Sequence, residues 1–197
     1  MRSLLLTAAK QPMPNLRAAF GKICRMLVGL QERKIKQESV LLSRSLQNLP
    51  DPESPPYLEI TTLDRHYSEE DLLNIHNEAL AGTSGFKRAG SLQLEAFKAS
   101  PHHDPKGVLI ARIDGVAVGY CFARYIPDGP SKITGLAVLN NYRGMGIGRA
   151  LLIRGLHYLR QRGADRVQLL VDLDDSIRSF YERLGFEPEK NPPHPRW

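Results

Sequence analysis

The run Arg143–Arg149 contains the residues of this chain whose types and spacing most clearly indicate chemistry: three glycines at alternate positions between two arginines. A short apolar segment ending at Val138 precedes the run, and leucines at helical spacing follow it. At a helix N-terminus the unpaired N–H groups and the positive end of the helix dipole favour an anion, and glycine lets the backbone come close to it. The run therefore predicts a pyrophosphate site at the start of a helix, built on Gly144, Gly146 and Gly148.

Three kinds of nucleotide loop compete for this run. A P-loop needs Gly-Lys-Ser/Thr at its end, whereas Gly148 is followed by Arg149 and Ala150, so that interpretation fails. A dinucleotide fold needs Gly-x-Gly-x-x-Gly, and the third glycine comes one residue early, although Asp172 could serve as the acid that binds the ribose. The third kind is a coenzyme A loop, and the dinucleotide alternative stays open beside it.

The coenzyme A interpretation rests on a resemblance to a known family. Arg143-x-x-Gly146-x-Gly148 resembles the Q/R-x-x-G-x-G/A signature of the GNAT-type N-acetyltransferase superfamily. The resemblance implies that acetyl-CoA is a co-substrate, that no metal takes part, and that the whole loop helps to bind the coenzyme. The implied coenzyme-binding residues of the loop are Arg143, Gly144, Met145, Gly146, Ile147, Gly148 and Arg149.

A second motif follows the next predicted strand. Family members commonly read N-x-x-A-x-x-x-Y-x-x-x-G-F there, and the matching residues here are Asp174, Ile177, Tyr181, Gly185 and Phe186. Asp174 replaces an amide by a carboxylate and Ile177 replaces a small residue, which are two departures from the pattern. The resemblance implies that Asp174 and Tyr181 border the coenzyme and that Tyr181 protonates the departing thiolate. The amino-acid sequence of this motif is most similar to that of mycothiol-synthase-type members.

The elements around the two motifs predict a mixed α/β (α+β) fold. Asp114-Gly115 is a strong hairpin signal between two strand-like segments, and an antiparallel pair at this place argues against a dinucleotide fold. The resemblance covers roughly Tyr57–Glu189 and implies a mostly antiparallel central sheet flanked by helices. The family usually ends its sheet with a strand after Phe186. A short strand of this chain, a strand from a partner and a truncated chain all stay open for that place.

The implied reaction is acetyl transfer from acetyl-CoA to a primary amine, by direct attack on the thioester in a ternary complex. An amine of pKa near 10.4 is protonated at pH 7, and freeing its lone pair costs about 4 to 5 kcal/mol, at about 1.36 kcal/mol per pKa unit. Many relatives place a glutamate base near the start of the strand before the glycine loop, where this chain has Lys132. A base is therefore expected elsewhere, with His76 and Glu78 as candidates, or the substrate amine has a low pKa. The plain alternative is that both are structural residues of a helix.

The resemblance also gives the strand before the loop a part in binding. The pantetheine arm would lie beside it like an extra strand and bond the backbone near Leu136 and Val138, where an N–H group could also stabilise a developing oxyanion. Tyr181, a phenol of pKa about 10, would stay protonated at neutral pH and act as the general acid. Its plain alternative is a core aromatic residue.

Composition and charge limit the expected partners. The 197 residues suit one domain with an extension, and a hydrophobic content of 42% is that of an ordinary soluble protein. Residues 1–56 hold nine Lys or Arg against four Asp or Glu, net +5, and the rest hold 18 against 17, net +1. The nearly neutral domain therefore gives no reason to expect nucleic-acid binding.

Cysteine and histidine usage favours a reducing, cytoplasmic compartment and no metal. Cys24 and Cys121 are too few for a disulfide framework and have no metal-ligand spacing. His102-His103-Asp104 lacks a third partner that would converge on one ion, so an exposed loop is the preferred interpretation there.

Residues 1–56 are expected to form a basic, helical extension with a proline-rich linker, ahead of an acetyltransferase domain at 57–197. Apolar residues at helical spacing predict a helix from about Asn15 with one apolar stripe. The preferred interpretation packs this helix on its own domain or on a second copy in a homodimer, and contact of residues 15–30 with an anionic membrane surface is the alternative. Organellar targeting is less favoured because the segment is poor in serine.

Two functions from different classes follow. The first is an acetyl-CoA-dependent N-acetyltransferase acting on a small-molecule or protein amine. The second is a regulatory module of the same fold that binds an acyl-CoA but has weakened catalysis, which Lys132 and Asp174 favour.

Overall fold

A mixed sheet of seven strands is the framework of the computed structural model, which describes residues 39–63, 69–83, 86–172 and 175–189. The strands are β1 Ser39–Ser45, β2 Glu59–Thr62, β3 Val108–Ile113, β4 Val116–Arg124, β5 Ser131–Val138, β6 Arg166–Asp172 and β7 Glu187–Pro188. They lie in the order β2-β3-β4-β5-β6-β1-β7, and all neighbouring pairs are antiparallel except β5 and β6. The predicted mixed, mostly antiparallel sheet is confirmed.

Four described helices flank the sheet on its two faces. They are α1 Glu69–Ala79, α2 Ser91–Lys98, α3 Ile147–Gln161 and α4 Asp175–Glu182. Side chains alternate between the faces along β3 and β4, so Leu109 and Cys121 join the core under α3, while Ile110 and Tyr120 join the core under α1 and α2. None of these described helices is long and apolar enough to cross a membrane.

A glycine lets α3 approach the sheet closely. A Cβ atom on Gly155 would lie 3.1 Å from Cys121 Sγ and 3.5 Å from the Cβ atom of Ala123. Cys121 and Ala123 belong to the small-residue face of β4, so small residues meet on both sides of this contact. The close packing fixes the height of α3 above the sheet and, with it, the position of the glycine run at its N-terminus.

Strand β1 lies inside the sheet, between β6 and β7. Leu42 pairs with Leu169 of β6 and is fully buried. The sequence analysis placed this segment in an extension ahead of residue 57, and the pairing corrects that placement. The segment Ser39–Ser45 has no hairpin partner nearby in the chain, because its partner β6 comes more than a hundred residues later, so local patterns could not identify it.

The far end of the sheet is closed by two short pieces from opposite ends of the described chain. β7 pairs with β1 through Leu42 with Pro188 and Ser43 with Glu187. Of the three alternatives left open for this place, a short strand of this chain is what the structure contains. β1, however, stands between that strand and β6.

The proline-rich segment Asn48–Pro56 runs along the domain rather than away from it. The N–H group of Leu46 donates to the carbonyl of Asp165 at 2.9 Å, and His157 Nε2 donates to the carbonyl of Pro50 at 2.8 Å. The second contact attaches the predicted linker to α3, and the first holds the residue that precedes the linker beside the turn before β6. The helix predicted from Asn15 lies outside the described residues, so its homodimer and membrane interpretations stay predictions.

Strand β1 also fixes the end of α4. The guanidinium of Arg44 donates to the carbonyls of Leu184 and Asn48 and lies 5.9 Å from the centroid of the Phe186 ring. Burial lowers the pKa of Arg44. Because α4 carries Tyr181, this contact joins the position of that phenol to β1.

We predict that Leu42→Ala destabilises the protein by about 2 to 5 kcal/mol, because it removes fully buried methyl groups from a strand that is paired on both sides. Leu92→Ala is the matched control, since Leu92 is 76% exposed and its truncation should change the free energy of unfolding by about 0.5 kcal/mol or less. Denaturant unfolding of the full chain measures both. Equal effects of the two substitutions would contradict the burial of β1 between β6 and β7.

Candidate active site

The parallel strands β5 and β6 are paired only at their first residues, so a gap opens between them. Their register joins Ser131 to Val167 and Lys132 to Gln168, and among the described residues no pairing continues towards Val138. The rest of β5 therefore keeps one backbone edge on β4 and turns the other towards the gap. This opening is the site around which the other candidate residues are arranged.

A β-bulge lies in β5 at the point where its pairing with β6 stops. Gly135 is opposite Phe122 while Ile133 is opposite Ala123, which leaves Thr134 as an extra residue. A bulge bends its strand and increases the local twist. The bulge thus accounts for the divergence of β5 from β6.

The backbone groups of Leu136 and Val138 face the opening. The N–H group of Leu139 donates to the carbonyl of Val118 at 2.9 Å. In an antiparallel pair, residues that exchange hydrogen bonds alternate with residues that do not. Leu136 and Val138 occupy the alternate positions, so their N–H and C=O groups point away from β4, and the Val138 carbonyl on this side accepts from Arg143. Their predicted role towards pantetheine fits this geometry and stays a prediction.

The glycine run forms a tight turn into α3. Gly144 and Gly146 both have φ of +80°, and Gly146 is the N-cap residue, whose carbonyl accepts from Ala150 at 3.0 Å. A residue with a Cβ atom in this left-handed conformation costs roughly 1 to 2 kcal/mol. Gly148 is different, because a Cβ atom there would meet Val138 Cγ2 only at 3.8 Å. Two of the three glycines are thus required by backbone conformation.

The first turn of α3 offers hydrogen-bond donors at the end of β5. The N–H groups of Ile147, Gly148 and Arg149 have no acceptor within the helix because they precede its first complete turn. Gly148 lies against Val138, so these donors stand beside the opening between β5 and β6. Met145 and Arg149 are exposed, which leaves the turn accessible to a ligand. The geometry suits an anion held by backbone N–H groups and the helix dipole.

Arg143 and Tyr57 hold the loop from two sides. Arg143 Nε donates to the carbonyl of Val138 at 3.2 Å, and its Nη2 donates to the carbonyl of Ala79, at the end of α1, at 3.1 Å. Tyr57 Oη donates to the carbonyl of Met145 at 2.9 Å. The Arg143 guanidinium thus joins the glycine run to the end of β5 and to the end of α1, in addition to carrying a positive charge.

Tyr181 is a buried phenol on the α3 side of the sheet. Its ring meets Phe180 and Phe186 edge-on, with centroids 5.1 and 5.7 Å away. Burial, with the neighbouring Cys121 thiol adding to it, raises the pKa of Tyr181 well above its usual value. The ring of the preceding residue, Phe180, lies 3.8 Å from the place of a Cβ atom on Gly148, so this part of α4 stands beside the N-terminus of α3. This position is compatible with both interpretations of Tyr181, as a packed core residue and as a general acid.

The two candidate bases lie on different faces of α1. His76 is 2% exposed, and its Nδ1 lies 3.0 Å from Tyr120 Oη, while its Nε2 has no hydrogen-bond partner within the described chain. Burial lowers the pKa of His76 from 6.5 to about 4, so the ring is neutral at pH 7. Glu78 is exposed to solvent. Since Tyr120 is paired with Ala137 of β5, His76 is the candidate nearer to the opening.

Lys132 occupies the place where many relatives have a glutamate, and its surroundings disfavour a charge there. It lies opposite Arg124 of β4. Burial, and next the charge of Arg124, lower the pKa of Lys132. A carboxylate base is thus absent from this position, and two basic residues stand at the inner end of the opening.

The histidine pair near β3 has structural partners. His103 meets the Phe97 ring edge-on at 4.9 Å, and Asp104 accepts a hydrogen bond from Tyr158 Oη at 2.7 Å. Across the described ranges, no three His, Cys, Asp or Glu side chains form a group that could hold a metal ion. Asp174 lies outside the described residues, and its predicted contact with the coenzyme stays a prediction.

Sequence reasoning missed three residues that support the site, namely Tyr57, Tyr120 and the carbonyl-binding role of Arg143. Tyr57 precedes an edge strand and Tyr120 lies in an alternating strand, and both patterns are typical of ordinary structural residues. Their partners are distant in the chain, so no local signal could have identified them.

Comparison with known proteins places this arrangement among acetyltransferases. The model of the "Acetyltransferase (GNAT) family" matches residues 59–186. A mycothiol acetyltransferase of Thermomonospora curvata is 33% identical over 178 residues, which are 89% of this chain and 56% of that protein. A mycothiol acetyltransferase of Thermobispora bispora is 34% identical over 148 residues, which are 70% of this chain and 49% of that protein. The chain thus spans about half the length of these curated relatives.

Solved structures agree on the fold. A GCN5-related N-acetyltransferase from Sphaerobacter thermophilus superposes with a TM-score of 0.64 at 25% identity, covering 77% of this chain and 48% of that one. Ard1 from Thermoplasma volcanium superposes with a TM-score of 0.54 at 22% identity, covering 66% of this chain and 83% of that one. The second likeness concerns the fold alone.

We predict that Gly146→Val abolishes measurable acetyl-CoA binding, because it strains the left-handed N-cap and places a branched side chain where an anion would approach. Gly148→Ala is the matched control, since its added Cβ atom makes only ordinary contacts within the protein. Calorimetric titration with acetyl-CoA measures both variants. Unchanged affinity in Gly146→Val would remove the glycine run from the coenzyme site.

We also predict a pH dependence of stability from His76. Its folded pKa lies below the unfolded value, so the folded state binds fewer protons, and stability is complete above about pH 6.5 and falls towards about pH 4. The loss should reach about 3 kcal/mol over that interval. His76→Gln should remove this part of the pH dependence, whereas His102→Gln, at an exposed position, should retain it. Denaturant unfolding at about pH 7 and about pH 4 compares the free energies of unfolding of the three proteins. The same loss of stability between the two pH values in all three would show that His76 is not buried as a neutral group.

Proposed function

This chain belongs to the acetyltransferase (GNAT) family, and from that premise we propose that it transfers an acetyl group from acetyl-CoA to a primary amine by direct attack within a ternary complex. The observation that carries the proposal is the opening between β5 and β6, with the N-terminus of α3 at its mouth. It supplies two kinds of donor at once, namely a strand edge at Leu136 and Val138 and the N–H groups of a helix terminus. A thioester with a long amide-bearing arm and a pyrophosphate matches both.

The residues of the opening would position the coenzyme in two places. The N–H groups of residues 147–149 would bind the pyrophosphate, and the backbone of Leu136 and Val138 would bond the amides of the pantetheine arm. Acetyl-CoA supplies the thioester carbonyl that the amine attacks and the thiolate that leaves. An N–H group of β5 that faces the opening would donate to the carbonyl oxygen as negative charge develops on it.

The proton transfers are assigned to two neutral groups. As the new C–N bond forms and the C–S bond breaks, the amine loses a proton and the thiolate gains one. Tyr181 is the proposed donor, because its raised pKa keeps it protonated and because its neighbour Phe180 lies beside Gly148 at the start of α3, which supports a position near the opening. His76 is the proposed acceptor on the amine side, since it is neutral and its Nε2 is unpartnered within the described chain.

A pKa of about 4 makes His76 a weak base, so the acceptor amine is proposed to reach the site largely unprotonated. Arg124, opposite Lys132 at the inner end of the opening, would act in the same direction, because nearby positive charge lowers the pKa of an amine. Relatives named mycothiol acetyltransferase make the amine that those enzymes acetylate the first acceptor to test.

A second candidate function is a regulatory module that binds an acyl-CoA with weakened catalysis. The specific observation in its favour is Lys132, which stands beside Arg124 where many relatives have a carboxylate base. Both functions require coenzyme binding, and they differ in turnover.

The deciding experiment measures free thiol release from acetyl-CoA by the full chain with a panel of amines. The panel contains the acceptor of mycothiol acetyltransferases, a peptide with a free N-terminus, a lysine peptide and a polyamine. Amine-dependent release supports the transferase. Tight acetyl-CoA binding without release by any amine would favour the regulatory module, and absence of binding would overturn both.

We predict that Tyr181→Phe lowers kcat by roughly 100-fold or more, because it removes the proposed acid, and leaves the Kd for acetyl-CoA nearly unchanged. Tyr125→Phe is the matched control just after β4, where the ring faces Arg162 at 5.3 Å, and it should keep both constants. Steady-state kinetics and calorimetry separate the two constants. Equal kcat in Tyr181→Phe and Tyr125→Phe would leave Tyr181 as a core residue only.

A further inference from the structure

A cavity of about 470 Å³ lies on the α3 side of the sheet, at the edge formed by β2 and β3. Its floor consists of Ile60, Thr62 and Leu109, which share one face of these two paired strands. Its walls are the second half of α3, the turn that contains Lys106, and Pro52 of the segment that follows β1. A volume of this size is in the range of sites for small molecules.

The α3 wall of the cavity is the polar flank of an amphipathic helix. Arg154, His157, Tyr158 and Gln161 recur at positions i, i+3, i+4 and i+7, so they form one stripe along the helix. The neighbouring face of α3 is apolar and buried, and it packs on the sheet. At the edge of the sheet the polar stripe faces the apolar side chains of the floor across open space, which is an arrangement suited to a molecule with one apolar and one polar side.

The charge around the cavity is positive. Lys106 and Arg154 line it, and none of the described residues that line it is an aspartate or glutamate. The nearest acid in the contacts of this wall is Asp104, which accepts from Tyr158 Oη at 2.7 Å and lies 3.8 Å from Arg162. Its Oδ1 also accepts from the backbone N–H group of Lys106 at 3.0 Å, so this carboxylate offsets part of the positive charge near Lys106, and Arg154 is the lining cation farther along the helix.

We propose that this cavity binds a small amphipathic organic carboxylate. The carboxylate would be held by Arg154 and Lys106, and its apolar part would lie on Ile60 and Leu109 beside the Tyr158 ring. Charge-assisted hydrogen bonds and burial of apolar area would then act on opposite ends of one ligand.

The site is separate from the coenzyme opening. The opening lies between β5 and β6 at the N-terminus of α3, whereas the cavity lies over β2 and β3 near its C-terminus. The two strands β3 and β4 stand between β2 and β5 in the sheet. A ligand in the cavity therefore should not compete with acetyl-CoA.

The test titrates the full chain with 4-phenylbutyrate, an amphipathic carboxylate, and with 4-phenylbutyramide, its neutral counterpart, at constant ionic strength. Backbone amide shifts in NMR spectra report the place of binding, and calorimetry reports the affinity. We expect the carboxylate to shift amides around Lys106 and Arg154 and to bind at millimolar concentration or below. The double variant K106Q/R154Q should weaken binding roughly tenfold to hundredfold, and Lys87→Gln, an exposed lysine elsewhere, should leave it unchanged.

Further measurements could contradict the proposal. Gln161→Trp should fill the cavity from an exposed helix position and abolish binding. Equal binding of the neutral amide would overturn the carboxylate assignment, and loss of binding in Lys87→Gln as large as in the double variant would reduce it to general charge attraction. Displacement of the probe by saturating acetyl-CoA would place it in the coenzyme opening instead. Absence of any shift around the cavity would overturn the site altogether.

Discussion

The short pairing between β5 and β6 is the constraint on which the rest of the structure depends. Two paired positions hold the strands together at one end, and the bulge at Thr134 sends β5 away from β6 beyond them. A strand edge with unused backbone donors is stable only where another group can satisfy it, which makes the opening a place for a ligand with amide groups of its own. The same divergence leaves room for the N-terminus of α3 to stand at the end of β5, and α4, which follows β6, brings Phe180, the neighbour of Tyr181, beside Gly148.

Electrostatics divide the site into an anion-binding mouth and a largely neutral interior. At the mouth, positive potential comes from the backbone of α3, while the Arg143 guanidinium is engaged with two carbonyls. Further in, burial keeps His76 and Tyr181 uncharged, and Lys132 is pushed in the same direction. Neutral groups in a buried interior deprotonate an ammonium ion poorly. The proposed mechanism therefore requires that the acceptor amine reach the site largely unprotonated.

The features that could be predicted from the sequence are those that depend on residues close together in the chain. The glycine run, the hairpin at Asp114-Gly115 and the strand before the loop depend on neighbours within a few residues, and the structure contains all three where they were expected. Strand β1 depends on β6, the Arg143 contact depends on the end of α1, and the Tyr57 contact depends on the loop. Each of these joins residues far apart in the chain, for which a single sequence carries no periodicity or turn signal. Asp174 lies outside the described residues, so its contact with the coenzyme stays a prediction.

The position of β1 has a consequence for how the chain folds during synthesis. Ribosomes release β1 first and its partner β6 only near the end, so the leucines of β1 stay without their sheet until almost all of the described domain has emerged. Pairing across so long a separation slows folding, because the entropy of closing the loop must be overcome before the contact forms. Nascent chains that lack β6 would expose an apolar strand edge and a half-built coenzyme opening, and would be natural clients for chaperones. Coenzyme binding would then be the last property that the growing chain acquires.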